Sequence, residues 1–363
     1  MAVIPRVSVV MPVWNGSRWL AEAIESIISQ TYTQWELLIL DDGSTDSSVA
    51  VAETFSDSRI RLIRRPHEGL IKTLNAGLDL ARGDWIARLD ADDVVAPNWI
   101  ETQLSLAAQD PDIVLMGGAY FEERAAGWRA VNLPEDDIVI RWRLLFSNVI
   151  MHPGAMYSRK AAVEIGGYDP KMEVAEDYDL WWRLGRLGKY ATVPDVVVRR
   201  RMHSESVSVK RRDVQLGTIV RILEREIEGI LGVKPPSEMV RSILNVQGWH
   251  PYYPLELSRG EVWTFIFGLY AAVRKTASPE ERVILDQSEL PSLVRGAKFV
   301  LNTGVACEVR SVKTLYTMMK SMAPQSFSWG QRIRYGVIFG LPVAVLSRIR
   351  ALRAALRQVS GRV

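Results

Sequence analysis

The chain has 363 residues, 48% hydrophobic and 24% charged, which excludes a disordered or fibrous chain and fits one large or two ordinary packed domains. The net charge of +3 hides an asymmetry: Val309 to Val363 holds ten Lys or Arg and no acid, while residues 1–308 hold 35 basic against 42 acidic residues, a net of −7. The single cysteine, Cys307, excludes an intramolecular disulfide framework and fits a reducing compartment.

Val7 to Val13 is rich in β-branched residues and ends at the turn signal Trp14-Asn15-Gly16, so it reads as the first buried strand. It lacks the charged start and cleavage site of a signal peptide. Ser17 is placed to cap the following helix, whose apolar positions Leu20, Ala23, Ile24, Ile27 and Ile28 share a face. Trp35 to Leu40 is the second strand and stops at DDGSTDSS, where Gly43 permits a sharp turn and Ser44 to Asp46 supply caps. Ile60 to Ile63 is a short third strand. Leu70 to Ala81 has helical spacing, and Trp85 to Leu89 is the fourth strand. Pro97 starts a helix through about Ala108, and Ile113 to Met116 is a fifth strand closed by Gly117-Gly118.

Strand–helix alternation at this spacing argues for a mostly parallel sheet. It brings Asp41, Asp42, Asp90, Asp92 and Asp93 to one rim. Further on, Pro134 to Phe146 looks helical, Met151 to Gly154 is a turn, and Glu164 to Pro170 is a loop. Asp177 to Leu187 is a helix with Glu176 and Asp177 at its start, and Val193 to Arg201 is a strand with a basic end. The character changes between residues 215 and 235. We divide the chain into residues 1–215, an α/β domain, and 216–363, a mainly helical region.

The stretch WIARLDADD, Trp85 to Asp93, ends an apolar run in three carboxylates. Acids at the carboxyl end of a buried strand suit a metal–diphosphate site, because hard cations such as Mg2+ and Mn2+ prefer oxygen ligands. The alternative is a solvated turn in which Asp93 caps the next helix. Asp177 has a similar alternative as a helix cap.

VSVVMPVWNG, DDGSTD, LNAGLDLARGDWIARLDADD, HPGAMYSR, GGYDP and EDYDLWWRL follow in this order. Together they resemble the family 2 glycosyltransferases, inverting enzymes with the Rossmann-like GT-A nucleotide-sugar fold, over roughly residues 4–210. The resemblance implies that Asp41 accepts the base N–H of a uridine-type nucleotide and that Asp42 shapes that pocket. It places Pro12 to Asn15 beside the nucleobase and Arg88 facing the donor. Asp90-Ala91-Asp92 becomes the D-x-D element at the ribose and metal, with Asp93 sharing metal duty. Asp177 becomes the general base, and His203 lies in a loop near the diphosphate and metal. The implied activity is inverting transfer from a nucleotide-diphospho-sugar, with UDP the favoured nucleotide, using Mn2+ or Mg2+. The acceptor is a saccharide or lipid-linked hydroxyl, in cell-surface polysaccharide or glycolipid synthesis.

His152, beside Pro153-Gly154, could approach the acceptor, and a structural turn is the favoured reading. Of the pair Trp181-Trp182, one is expected in the core and the other is a candidate to line a sugar-binding cleft. His67-Glu68 lacks the second His of a zinc-protease helix. A nucleotidyltransferase would want a glycine- and lysine-rich phosphate loop near the N-terminus, and Pro12 to Leu20 is not one. A dehydrogenase is disfavoured by the absence of G-x-G-x-x-G. A non-catalytic sugar-nucleotide-binding protein is the remaining alternative, against which Asp90, Asp92 and Asp177 stand. In the tail, Val345, Ile349, Leu352, Leu356 and Val359 form an apolar stripe opposite Arg350, Arg353 and Arg357, the pattern of an interfacial helix. The apolar runs Trp263–Val273 and Gly336–Leu346 fall short of the ~20 residues of a spanning helix. The expectation is a cytoplasmic protein, peripheral on the inner face of the cell membrane, with no nucleic-acid partner.

Overall fold

Every residue of β1 (Val7–Val13) is buried, as expected for a β-branched run at the centre of a sheet covered on both faces. In the computed structural model, residues 6–124, 127–201, 211–246, 257–303, 309–323 and 325 are described. The chain divides into two compact units, Met1–Glu226 and Ile227–Val363. β1 lies between β2 (Trp35–Asp41) and β4 (Trp85–Arg88), and β2 also pairs with β3 (Ile60–Arg64), all parallel. Val13 is level with Asp41 in the register, so the acids after β2 and β4 emerge on one rim.

One face of this parallel half packs on α1 (Leu20–Ile28): Val7, Val9, Met11, Leu37 and Ile39 meet Leu20, Ala23, Ile24 and Ile27 in one core. Each such side chain contributes about 1.5–3 kcal/mol by leaving water. α3 (Leu70–Leu80) covers the other face. It lies so close that a Cβ on Gly77 would sit 2.6 Å from Val10 Cγ1.

The rest of the sheet is mixed, giving the order β3-β2-β1-β4-β8-β6-β9-β5. β8 (Met156–Ser158) runs antiparallel to both β4 and β6 (Ile113–Arg124). β9 (Lys189–Arg200) is parallel to β6, and β5 (Val94–Val95) pairs antiparallel with β9. Gly117-Gly118 does not close the fifth strand: β6 continues through it to Arg124. The pair is small because β9 leans over it, and a Cβ on Gly118 would lie 2.6 Å from Val197 Cγ1. The β6–β9 register also shifts on either side of Ala119, a bulge at a close backbone approach. β7 (Gly127–Val131), unforeseen in the sequence, pairs with β6 as an exposed hairpin arm.

The remaining helices of this unit include α2 (Ser48–Glu53), α4 (Trp99–Gln109), α5 (Asp137–Leu144), α6 (Arg159–Glu164) and α7 (Glu176–Leu184). α6 occupies residues expected to lead into a loop and is capped by Ser158 Oγ, which accepts from the Ala161 N–H. Ser17 does not cap α1; its own N–H donates to Asp46 Oδ2.

α8 (Arg212–Leu231) runs to the second unit, which is helical throughout its described residues: α9 (Ser237–Val246), α10 (Arg259–Thr276), α11 (Pro279–Ser288), α12 (Leu290–Thr303) and α13 (Val309–Met322). Capping boxes at Ser258/Glu261 and Ser278/Glu281 start α10 and α11. Val262, Ile266, Phe267, Leu285, Leu293, Leu315 and Met319 are buried in this unit. Among the described residues, no helix is long and apolar enough to cross a membrane. The stripe from Val345 to Val359 lies outside them.

Candidate active site

The loops after β1 and β2 are laced into one piece. Asn15 adopts the left-handed region, which asparagine tolerates better than most side chains. Its Oδ1 accepts from the N–H groups of Thr45 at 2.8 Å and Asp46 at 3.3 Å, while its own N–H donates to Ser44 Oγ. The Gly16 N–H donates to Ser48 Oγ. Pro12 lies in β1 opposite Leu40, just upstream of this lacing. Asp41 is buried, with Oδ1 accepting from the Ser44 N–H at 3.2 Å.

Asp42 grips the segment that leads into α3. Its carboxylate accepts from the N–H groups of Glu68 at 2.9 Å and Gly69 at 3.0 Å and lies 2.9 Å from His67 Nδ1. Gly43 gives the sharp turn this needs: at φ +72°, a Cβ there would meet the His67 nitrogen at 2.8 Å. Trp14 is 57% exposed and stacks on His67 at 4.8 Å.

β4 delivers the second group of acids. Asp90, Asp92 and Asp93 offer carboxylate oxygens that all lie within 4.8 Å of one another. Ala91 sits against the first loop, since a Cβ on Gly16 would be 3.5 Å from the Ala91 Cβ. Asp93 does not cap a helix. It is buried, β5 follows it, and its Oδ1 accepts from the Arg201 N–H at 2.8 Å. Burial, then the neighbouring charges of Asp90 and Asp92, push its carboxyl well above the usual range. The Arg201 guanidinium donates to the Asp92 carbonyl at 2.9 Å and pairs with Glu22.

Arg88, expected to face the donor, is fully buried at the end of β4. It bonds Asp90 at 2.6 Å, so its reach to a donor runs through that carboxylate. Burial pushes the Asp90 carboxyl up, but the charges of Arg88 and His152 outweigh it and hold it below the usual range.

The third group stands at the start of α7, where Ala175 in the left-handed region turns the chain into the helix. Asp177 Oδ1 accepts from the Tyr178 N–H at 2.7 Å, and Oδ2 accepts from Asn148 Nδ2 at 2.8 Å. Burial, opposed by the His152 charge and aided by Glu176, raises its carboxyl to about 6. His152 is no mere turn residue. It is buried, with Nε2 2.8 Å from the Tyr168 hydroxyl and Nδ1 3.6 Å from Glu176 Oε1. A protonated His152 would lower the carboxyls of Asp90, Glu176 and Asp177 alike.

Neither tryptophan of the pair lines a cleft: Trp181 is fully buried and donates to the Ile150 carbonyl, and Trp182 is buried beside Tyr178. Asp179, two residues along, is locked between Arg183 and Arg225, which anchors α7. His203 lies outside the described residues. Asn148, Tyr168 and Arg201 were not singled out as site residues from the sequence, and His152 only as a residue that could approach the acceptor. His152 and Tyr168 lie in the HPGAMYSR and GGYDP motifs, whereas Asn148 lies in none, so only the fold joins it to Asp177.

Acids from two parallel strands thus gather on one rim of the sheet, and a further carboxylate stands at the start of α7. The model of the glycosyl transferase family 2 matches residues 8–166. An uncharacterized glycosyltransferase of Haemophilus influenzae is 30% identical over 242 residues, covering 61% of this chain and 73% of that one. The chondroitin synthase of Escherichia coli is 27% identical over 233 residues, covering 64% of this chain and 34% of that one. The chain thus spans about a third of some of these relatives. The crystal structure of S. aureus TarS 1–349 in complex with UDP-GlcNAc superimposes with a TM-score of 0.53 at 15% identity, covering 89% of this chain and 93% of that one, a likeness of fold. This chain belongs to glycosyltransferase family 2. It is a glycosyltransferase with the GT-A fold, and the nucleotidyltransferase alternative falls away.

Proposed function

We propose that this enzyme transfers a sugar, with inversion, from a UDP-sugar to a hydroxyl of a saccharide or lipid-linked acceptor, in cell-surface polysaccharide or glycolipid synthesis. The observation that carries the reading is Asp177. It is a carboxylate raised to about 6, half-buried at a helix start, and its charge shares a neighbourhood with Asp90. A base poised near the operating pH is what removal of a hydroxyl proton requires.

Asp41 and the laced loops of Pro12, Asn15 and Asp42 receive the nucleobase. Asp90 and Ala91-Asp92 lie toward the ribose and diphosphate. Three hard oxygen donors fit a divalent cation, and the repulsion that raises Asp93 is the kind of cost that Mn2+ or Mg2+ relieves. Asp90, Asp92 and Asp93, with His203, would hold the metal, which supplies neutralisation of charge on the departing diphosphate. Arg88 fixes Asp90. Asp177 takes the acceptor proton as the new glycosidic bond forms and the bond to the diphosphate breaks. The UDP lean rests on Asp41 and on the UDP-GlcNAc complex of the TarS fold relative. The apolar stripe from Val345 to Val359, with Arg350, Arg353 and Arg357 opposite it, is assigned to peripheral membrane contact, tested by pelleting with anionic liposomes with and without residues beyond Ser328.

Nucleotide release from a panel of UDP- and GDP-sugars in Mn2+ tests the reading. Asp177→Asn is expected to lose about 10²–10⁴-fold in turnover while its thermal shift with donor stays that of the unsubstituted protein. Full turnover in that variant would end the assignment.

A further inference from the structure

We propose that Asn148 is a positioning residue for Asp177, an amide that donates to the ionised carboxylate and rotates to accept from the acid that proton transfer creates. The proposal rests on the reading of Asp177 as the base. Asn148 lies between α5 and β8, and its Nδ2 stands 2.8 Å from Asp177 Oδ2. Its Oδ1 is buried and bonds nothing among the described residues, so turning the amide by half a rotation about its terminal bond breaks only the bond that must invert.

The other neighbours of Asp177 cannot perform this exchange. The Tyr178 N–H on Oδ1 is backbone and can only donate. Glu176 is a second carboxyl whose repulsion opposes ionisation, and His152 is engaged by Tyr168 and Glu176. His152 and Glu176 are thus the titratable groups facing Asp177, and both act at longer range than the amide. Among the described residues, Asn148 is the neutral partner of Asp177 that matches both protonation states.

In the reaction, the acceptor oxygen bonds the anomeric carbon as the carbon–oxygen bond to the diphosphate breaks with its electron pair. The hydroxyl proton goes to the Asp177 carboxylate. The resulting carboxylic acid has an O–H that needs an acceptor in a buried setting, where an unpaired donor is costly. Rotation of Asn148 presents Oδ1 to it. Loss of that proton to solvent returns the amide to its donating state before the next turnover.

The full-length protein, labelled with 13C at Asp carboxyls and 15N at Asn amides, tests this by NMR titration. Asp177→Asn identifies the Asp177 carbon, and Asn148→Leu identifies the Asn148 amide. In the unsubstituted protein, the Asp177 carbon and the Asn148 amide are expected to titrate with a common midpoint. Asn148→Leu removes the donor, and Asn148→Asp puts a second carboxylate of the same shape beside the first. Asn148→Asp is expected to move the Asp177 midpoint upward by more than about tenfold in proton affinity, whereas Asn148→Leu, which takes a partner from both protonation states, is expected to move it much less.

An Asn148 amide that stays flat through the Asp177 titration would overturn the proposal, and this reading needs no variant at 148 to fold, since through-space contacts to Tyr178 also assign the signal. An Asp177 midpoint unmoved in folded Asn148→Asp, or moved as far by Asn148→Leu as by Asn148→Asp, would overturn it equally. Turnover of Asp177→Asn is measured alongside. Transfer retained there sinks the base assignment whatever the titrations give, whereas lost transfer with flat titrations sinks only the role of Asn148.

Discussion

The loop after β2 and the loop after β4 bring acids to the same rim of the sheet, yet they are held in contrasting ways. Asp42 is buried among donors: two backbone N–H groups and an imidazole nitrogen surround its carboxylate. Asp93 is buried among its own kind, with Asp90 and Asp92 raising its proton affinity and one backbone N–H on its side. The first loop is complete when the chain folds. The second stores repulsion that only the nearby arginines and a cation offset. We read the nucleoside end as preorganised and the diphosphate end as completed by its metal.

The largest test of this contrast is removal of the metal site. Asp92→Asn, or EDTA on the unsubstituted protein, is expected to lower turnover by about 10²–10³-fold, equivalent to roughly 3–4 kcal/mol, measured as nucleotide release. Next comes the nucleoside end, tested by heat. Asp42→Ala leaves buried donors without an acceptor and is expected to cost about 2 kcal/mol, seen as a Tm lower by roughly 4–8 °C.

The pH dependence of the base is smaller. On the proposed reading Asp177 works ionised, and burial raises its carboxyl to about 6, so turnover is expected to fall as pH drops through that value. About a tenfold loss is expected at pH 5 relative to pH 7, and a rate flat across that interval would count against the base. The smallest effect is on the repulsive loop itself. Because the folded Asp93 carboxyl is raised, its charged form destabilises the fold increasingly as pH climbs from the unfolded value of about 3.9 through the raised one. Asp93→Asn in EDTA is expected to raise Tm by about 2–4 °C at pH 8 and to leave it unchanged near pH 4. Its stabilisation by Mn2+ should shrink.

The parallel half was readable because each element announced itself: a β-branched strand, a turn signal, then one apolar helix face. Acids after Leu40 and Leu89 could be set on one rim because parallel strands share a carboxyl end. The mixed half was less readable. Gly117-Gly118 looks like a stop signal in one dimension, and only the proximity of Val197 shows that the pair makes room for a neighbouring strand. Arg88 follows a hydrophobic run toward an acid, and nothing in its local pattern says that its side chain is sealed inside. Asn148 and His152 carry no motif spacing to Asp177. Their relation is a product of the turn before β8 meeting the start of α7.

Asn15 has a practical consequence for redesign. One side chain, in a backbone shape that few residues accept, threads its oxygen through the N–H groups of the DDGSTD loop. Transplanting either loop alone from a relative with another base preference would strand those N–H groups. A graft intended to change the nucleotide must therefore carry residues 13–17 and 41–48 as a single cassette.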